Sequence, residues 1–220
     1  MNQGGSHQLM NNVTVFGMAQ SVYTQIVLLV LKEKNVTYDL QETDIFSDRR
    51  VSKIARLNPF EKIPVLVHGD FDLYETCAIT RYIDETFSGN SLQPGNIKDR
   101  ARMHQIIALL DAHAYLPMVW GLFVQLVALP EQGKSSDIDT IEQAIKQTSI
   151  CLDALASLMG ENAYLANSQL SLADLHAFPM VYHLALTHQG AALLSGHPSI
   201  GNWLKRMSTR LSVQHIALTK

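Results

Sequence analysis

The stretch Asn58–Asp84, NPFEKIPVLVHGDFDLYETCAITRYID, decides the fold that we predict for this chain. It opens with the loop signal Asn-Pro-Phe, and after Ile63-Pro64 it continues into an apolar run. A tight turn is predicted at His68-Gly69-Asp70, because Gly and Asp accept the backbone angles that such a turn needs. Alternating residues then predict a second strand, and apolar residues at helical spacing after Thr76 predict a helix. The stretch therefore indicates a loop, an Ile-Pro unit, a β-hairpin and a helix.

The same stretch is suited to binding a small zwitterionic peptide. Pro64 has no N–H to contribute to strand pairing, so the backbone of Ile63 is available to a ligand. The start of the following helix offers unpaired amides and the positive end of a helix dipole, which suit a carboxylate. The Thr76 hydroxyl can add to that contact, and the Glu75 carboxylate can bind an ammonium group. An ordinary hairpin followed by a helix is the alternative interpretation.

Three motifs occur in order within this stretch: N-P-F-x-K-I-P-V-L, D-x-x-L-Y-E-T and A-I-T-R-Y-I. Together they resemble the glutathione-binding half of a cytosolic glutathione transferase. The resemblance implies that Ile63-Pro64 is a cis bond and that Ile63 pairs with the cysteinyl backbone of glutathione. It also implies that Glu75 and Thr76 hold the γ-glutamyl end. Glutathione is then a co-substrate, and no permanently bound cofactor is expected.

Composition excludes several other classes of protein. The 220 residues are 47% hydrophobic with a formal net charge of -3, which favours neither a nucleic-acid surface nor an acidic tail. The two cysteines, Cys77 and Cys151, do not make a disulfide framework, and the nine histidines show no metal-binding motif. No apolar run reaches the roughly 18 residues of a membrane helix, and the N-terminus lacks a signal pattern. We expect a soluble cytoplasmic protein without a metal.

The first half of the chain predicts a thioredoxin-like domain. Residues 1–12 are polar and predicted to form a disordered tail. Val13–Phe16 predicts a strand, Ser21–Lys34 a helix and Tyr38–Thr43 a second strand. This β-α-β opening, joined to the hairpin and helix described above, gives a βαβαββα domain over residues 13–88 with a mixed four-stranded sheet.

The second half predicts an all-α bundle. Residues 89–97 are rich in Ser, Asn, Gly and Pro and form the predicted linker to a helical domain over residues 98–220. Lys98–Val127 predicts a long helix kinked at Pro117, and Asp137–Met159 predicts another. The resemblance implies that the two halves together form the glutathione transferase fold. In it, Ser171-Leu-Ala-Asp174 resembles the family's helix-capping motif, which implies a structural role for Ser171 and Asp174.

Ser21 is the residue to which we assign the chemistry. It follows the first strand in the pattern F-G-x-x-x-S-x-x-T, which resembles the phi and related serine-type transferases. The resemblance implies that the serine hydroxyl donates a hydrogen bond to the sulfur of glutathione and stabilises the thiolate. An N-cap serine with only a structural role is the alternative. Cys77 stands where the phi class often has Arg, and we expect a packed thiol there.

Basic residues before the hairpin are candidates for the glycyl carboxylate of glutathione. Arg49 and Arg50 stand where the phi class usually has His-Lys, and Lys62 stands where it often has glutamine. A solvated charged face is an equally good interpretation of the arginines.

The resemblance places a hydrophobic electrophile between the domains, beside the sulfur. Two groups of residues are candidates for the lining of its pocket: Val22 and Tyr23, which follow Ser21, and Tyr115, Val119, Trp120 and Phe123, which surround Pro117. The alternative for the second group is a place in the core of the helical bundle. The expected reaction is conjugation of glutathione to an electrophile, with possible reduction of organic hydroperoxides, in a homodimer. The rival functions are a non-catalytic glutathione-fold binding or regulatory protein and a thiol transferase using Cys77.

Overall fold

The strands of the first half form one mixed sheet. The computed structural model describes residues 12–44, 52–214 and 216. Its four strands there are β1 (Val13–Gly17), β2 (Tyr38–Glu42), β3 (Val65–His68) and β4 (Phe71–Tyr74). Their spatial order is β2-β1-β3-β4. β1 is parallel to β2 and antiparallel to β3, which pairs antiparallel with β4. The mixed four-stranded sheet predicted from the sequence is confirmed.

Burial explains why these segments are strands. Val15 of β1 is fully buried, and it lies opposite Leu40 of β2 and Leu66 of β3. β-branched and large apolar residues fit this half-covered pleated surface well. The β3–β4 turn contains Gly69 at φ 65, in the left-handed region that glycine adopts without steric cost.

The helices described in this part of the chain are α1 (Val22–Glu33), α2 (Ser52–Leu57) and α3 (Thr76–Thr86). Residues 24–31 of α1 are all buried, and α1 contacts α3. The order of strands and helices is therefore β-α-β-α-β-β-α, as the sequence predicts. Burial of such an apolar helix supplies most of its stability, because isolated helices of this length are marginal in water.

A buried ion pair fastens the ends of α1 and α3. The Lys34 ammonium, just after α1, donates to the Asp84 carboxylate and to the Asp84 carbonyl, both at 3.1 Å. It also donates to the carbonyl of Asn90 at 3.2 Å, so all three of its protons are used. Both charged side chains are only 2% exposed. The ion pair and these hydrogen bonds therefore offset the cost of removing the two charges from water.

The chain divides into two compact units. The first contains described residues up to Ser91 and also α10 (Leu211–Gln214), and the second runs from Leu92 to Arg210. The division lies between Ser91 and Leu92. The domain boundaries given from the sequence stay a prediction. In α10 the Ser212 hydroxyl donates to the Glu33 carboxylate at the end of α1.

The second unit is helical throughout, as predicted. Its α-helices are α4 (Ile97–Leu109), α5 (Leu129–Glu131), α6 (Ile138–Met159), α7 (Leu172–Ala185), α8 (His188–Ser195) and α9 (Pro198–Ser208). Between α4 and α5 the backbone widens into two π-helical segments, Leu110–Ala114 and Leu116–Ala128. At the ends of these segments the Tyr115 and Leu129 amides donate five residues back, which is the π-helical bond.

The widened helix bends by 45° between Ala114 and Leu116. The predicted kink is therefore present, but the helix bends just before Pro117 and not at it. Pro117 lacks an N–H and restricts the residue before it, which accounts for a break on its N-terminal side. Within the described residues no single helix has the length and apolarity to cross a membrane, although the two arms of this bend pass that test jointly.

Asp174 is the buried cap of α7. One carboxylate oxygen accepts from the Leu165 amide at 2.8 Å and from the Trp203 indole at 2.9 Å. The other accepts from the amide and the hydroxyl of Ser171, both at 2.9 Å. Burial raises the pKa of the Asp174 carboxyl, and the four hydrogen bonds oppose that rise. These contacts join α7 to the preceding loop and to α9.

Candidate functional site

The register of the sheet gathers three predicted pieces at one end of the first unit. Phe16, near the end of β1, lies opposite Val65 at the start of β3. Val65 in turn lies opposite Tyr74 at the end of β4. The turn after β1, the Ile-Pro unit before β3 and the start of α3 after β4 therefore leave the sheet at the same end. Sequence motifs separated by some 40 residues thus converge.

Ser21 occupies the N-cap position of α1 in this group. Its backbone is extended, and its Oγ accepts from the Thr24 amide at 3.4 Å. That contact uses a lone pair and leaves the hydroxyl proton to be donated elsewhere. Ser21 is partly buried and stands at the positive end of a 12-residue helix. The residue is therefore equipped to stabilise an anion.

Gly17 allows the strand and the helix start to approach closely. A Cβ built on Gly17 would lie 2.5 Å from the Thr24 hydroxyl and 2.7 Å from its methyl group. Such distances exclude any side chain unless Thr24 moves. Gly17 in the motif F-G-x-x-x-S is thus needed for the packing that places Ser21 after β1.

Ile63-Pro64 is a cis peptide bond, as the resemblance implied. Strand pairing begins only at Val65, so the N–H and C=O of Ile63 lie outside the β ladder. Pro64 is buried and Ile63 is half-buried. The Ile63 backbone is therefore not used by the sheet itself, and its pairing with a peptide stays a prediction.

Asn58 shapes the loop that leads to Ile63, a role that the sequence did not indicate. Its side-chain amide donates to the Lys62 carbonyl at 2.9 Å and its Oδ1 accepts from the Phe60 amide at 3.0 Å. Its own carbonyl accepts from the Glu61 amide at 2.9 Å. Asn58 itself is 2% exposed. An Asn before Pro-Phe could have signalled such an Asx turn.

If the site binds glutathione as the sequence resemblance implies, an Asn58→Asp variant should bind it more weakly, because the donor to the Lys62 carbonyl is lost and the Ile63 backbone relaxes. We expect KM for glutathione to rise about 3- to 10-fold, the equivalent of one hydrogen bond. Steady-state kinetics at fixed electrophile would measure it. Asn162→Asp is the matched control, since Asn162 makes a bond of equal length, 2.9 Å, to the Met159 carbonyl in the second unit. Equal KM values for both variants would show that the Asn58 loop does not shape the site.

Glu75 and Thr76 lie at the start of α3 with unusual backbone geometry. Glu75 has φ 70 and ψ 110, a region that non-glycine residues rarely occupy. Such a conformation costs about 1–3 kcal/mol and clusters at functional sites. The Glu75 side chain is exposed and makes no capping bond, and the Thr76 side chain is mostly buried. The start of α3 therefore presents a carboxylate and a hydroxyl at a helix end that its N-cap side chain does not cover.

Of the three basic residues predicted to bind the glycyl carboxylate, the structure describes one, Lys62. Arg49 and Arg50 lie outside the described residues, so their predicted role stays a prediction. Lys62 is exposed on the Asn58 loop, one residue before Ile63.

The predicted electrophile-lining residues are described within their own units. In the first, Val22 is 4% exposed and Tyr23 is half-buried. In the second, the Trp120 indole donates to the Tyr115 hydroxyl at 2.8 Å. Burial raises the pKa of Tyr115, and this hydrogen bond lowers it in part.

The remaining two candidates contribute to the core of the second unit. Val119 is 6% exposed, and Phe123 meets the His183 ring edge-on at 4.5 Å between centroids. Burial lowers the pKa of His183, and that of fully buried His176 to about 3, so both rings are neutral near pH 7. Among the described residues no group of three His, Cys, Asp or Glu side chains could hold a metal ion.

Proteins of known family resemble the chain over most of its length. The family models "Glutathione S-transferase, N-terminal domain" and "Glutathione S-transferase, C-terminal domain" match residues 11–85 and 138–206. Glutathione S-transferase F6 of Arabidopsis thaliana is 31% identical over 213 residues, covering 94% of this chain and 100% of the relative. Glutathione S-transferase F13 of the same plant is 29% identical, covering 89% and 90%. The crystal structure of glutathione transferase F7 from Populus trichocarpa has a TM-score of 0.83 at 29% identity, covering 94% and 100%.

Proposed function

The chain belongs to the glutathione S-transferase family and is a glutathione transferase of the phi type, and from that premise we propose that Ser21 activates the bound thiol. The Ser21 hydroxyl donates a hydrogen bond to the glutathione sulfur and stabilises its thiolate. The thiol proton leaves to solvent. The thiolate then attacks an electrophilic carbon, a sulfur–carbon bond forms, and the leaving group departs with its electron pair. The observation that supports this most is Ser21 at the N-cap of α1, on the same end of the sheet as Ile63 and Glu75.

The Ser21 hydroxyl and the positive end of α1 can together supply the stabilisation that the thiolate requires, so no general base is needed. A free thiol with a pKa near ~8.5 is only a few per cent thiolate at neutral pH. Lowering that pKa by about two units requires roughly 2.7 kcal/mol of differential stabilisation. One hydrogen bond to a charged acceptor contributes about 1.5–3 kcal/mol, and the positive end of α1 adds about 0.3–1 kcal/mol.

Glutathione binding is assigned to the residues at the same end of the sheet. The backbone of Ile63, presented by cis-Pro64, pairs with the cysteinyl unit, and Glu75 and Thr76 hold the γ-glutamyl end. The strained backbone of Glu75 supports this assignment, because a functional position can retain such a conformation. Arg49, Arg50 and Lys62 are the proposed partners of the glycyl carboxylate.

Hydrophobic electrophiles are the proposed second substrates. Organic hydroperoxides, which glutathione would reduce, are the alternative second substrates. The proposed lining residues are mainly apolar and aromatic, which suits such ligands: Val22, Tyr23, Tyr115, Val119, Trp120 and Phe123. A homodimer in the cytoplasm completes the proposal, since reduced glutathione is abundant in that compartment.

A conjugation assay tests this function directly. The protein should turn over a generic aryl halide with glutathione, and a Cys77→Ser variant should keep that activity. Tight glutathione binding with no turnover of any aryl halide or hydroperoxide would instead indicate a binding protein. Loss of activity in Cys77→Ser, with activity retained in Ser21→Ala, would indicate a thiol transferase.

A further inference from the structure

Gln25 is a fully buried polar residue one helical turn after Ser21. Its side chain is 0% exposed in α1, among neighbours that are almost all apolar. Its amide Nε2 donates to the carbonyl of Ala19 at 3.0 Å. Ala19 belongs to the Met18–Gln20 turn that joins β1 to Ser21. Gln25 therefore fastens the turn to the helix that follows it.

The other end of the same amide is left unsatisfied. Gln25 Oε1 is buried and has no hydrogen-bond partner among the described residues. Reversing the amide would place Oε1 against the Ala19 carbonyl and lose the one bond that exists, so the orientation is determined by chemistry. A buried acceptor without a partner destabilises the folded state. A methionine of similar shape would avoid that cost but would lose the bond that Gln25 donates to Ala19.

Other hydrogen bonds also restrain this segment. The Gln25 backbone amide donates to the Ser21 carbonyl at 2.8 Å. The Ser21 amide donates to the Met18 carbonyl at 3.0 Å. The Ala19 amide donates to the Glu42 carboxylate at 3.3 Å in an exposed position, where water competes for it. Ser21 Oγ accepts from the Thr24 amide at 3.4 Å. The bond from the Gln25 side chain is thus the contact by which α1 holds the Ala19 carbonyl of this segment.

We propose that Gln25 is a positioning residue for Ser21, which it acts on through the Met18–Gln20 turn without touching glutathione. The inference rests on the proposed role of Ser21 in thiolate formation. A hydroxyl that must meet a sulfur at hydrogen-bond distance loses its effect if the backbone carrying it shifts by a fraction of an ångström.

The test is a Gln25→Met variant, which keeps the side-chain volume and removes the donor. We expect kcat for aryl-halide conjugation to fall about 10-fold while KM for glutathione changes less than about 2-fold. The apparent pKa of the bound thiol should rise, and the Ser21 amide should exchange about 10-fold faster in substrate-free protein. Gln25→Asn, which is one methylene too short to reach Ala19, should behave in the same way. Thr148→Val is the control, because Thr148 Oγ1 is a buried hydroxyl without a partner in the second unit.

Turnover and hydrogen exchange of the Ser21 amide together decide whether Gln25 positions Ser21. Slower turnover together with faster Ser21 exchange, absent in the Thr148 variant, supports the inference. Unchanged exchange overturns it, and so does faster exchange with an unaltered kcat and thiol pKa. If the wild type itself conjugates no electrophile, the proposed function fails. Hydrogen exchange of the substrate-free Gln25→Met protein then still decides whether Gln25 positions Ser21.

Discussion

Replacing Ser21 by alanine is expected to reduce kcat/KM for conjugation of glutathione to an aryl halide by about 10- to 150-fold. That range corresponds to one hydrogen bond to a charged acceptor, about 1.5–3 kcal/mol. KM for glutathione should change little, because its peptide backbone is proposed to be held by Ile63, Glu75 and Thr76. The ratio of the wild-type rate to the variant rate should grow as the pH is lowered from about 8.5 to about 6.5, because the variant's bound thiol, with the higher pKa, is protonated first.

The controls for this prediction separate chemistry from capping. Ser21→Thr retains the hydroxyl and should retain most of the activity. Ser21→Gly removes the hydroxyl but costs an N-cap only a few tenths of a kcal/mol. It should therefore lose activity as Ser21→Ala does, with little loss of stability. An alanine variant as active as the wild type would show that Ser21 is a structural cap only.

Replacing Asp174 by alanine is expected to lower the free energy of unfolding by about 3–5 kcal/mol. The change leaves four donors without the carboxylate that they share: the Leu165 amide, the amide and hydroxyl of Ser171, and the Trp203 indole. All belong to the buried environment of Asp174, where an unpaired polar group is costly. Equilibrium unfolding in urea would measure the loss.

Asp137→Ala is the matched control for this second prediction. Asp137 also caps a helix, accepting from the amides of Asp139 and Thr140, but it does so in water. Its replacement should destabilise the protein far less. The folded fraction of Asp174→Ala should retain normal specific activity, because the carboxylate is proposed to serve folding and not chemistry. Normal stability of Asp174→Ala would contradict that role.

Local signals made the first unit predictable. Period-two and helical patterns, the Gly69 turn and the order of elements all follow from residues that are close in the sequence. The Ile63-Pro64 cis bond was different in kind. Only about 5% of X-Pro bonds are cis, so it was predicted from the resemblance to a family and not from the residues themselves.

The helix around Pro117 was only partly predictable. A regular α-helix, with hydrogen bonds four residues back, would place Tyr115, Val119 and Phe123 on one face. The segment instead makes bonds five residues back, so residues five apart become neighbours, as the Trp120 bond to Tyr115 shows. No residue type signals this change reliably, because packing and not propensity selects a π-helical segment.

Long-range partners were beyond the sequence for the same physical reason. Asp174 was identified as a cap from Ser171, three residues away, but its bond to Trp203 spans 29 residues. No local sequence pattern distinguishes Gln25 from other polar residues in helices. Its burial and its bond to Ala19 are visible only in the structure. The return of α10 to the first unit likewise depends on tertiary contacts that a four-residue helix does not encode.

The most direct test of the mechanism is the ionisation of glutathione bound to the protein. Ultraviolet absorbance of the thiolate, followed against pH in the binary complex, gives the pKa of the bound thiol without any electrophile. For the wild type we predict a value about two units below that of free thiol, near ~6.5, and a return of more than one unit toward ~8.5 in Ser21→Ala. The same pKa in both proteins, with glutathione bound to each, would contradict thiolate stabilisation by the Ser21 hydroxyl.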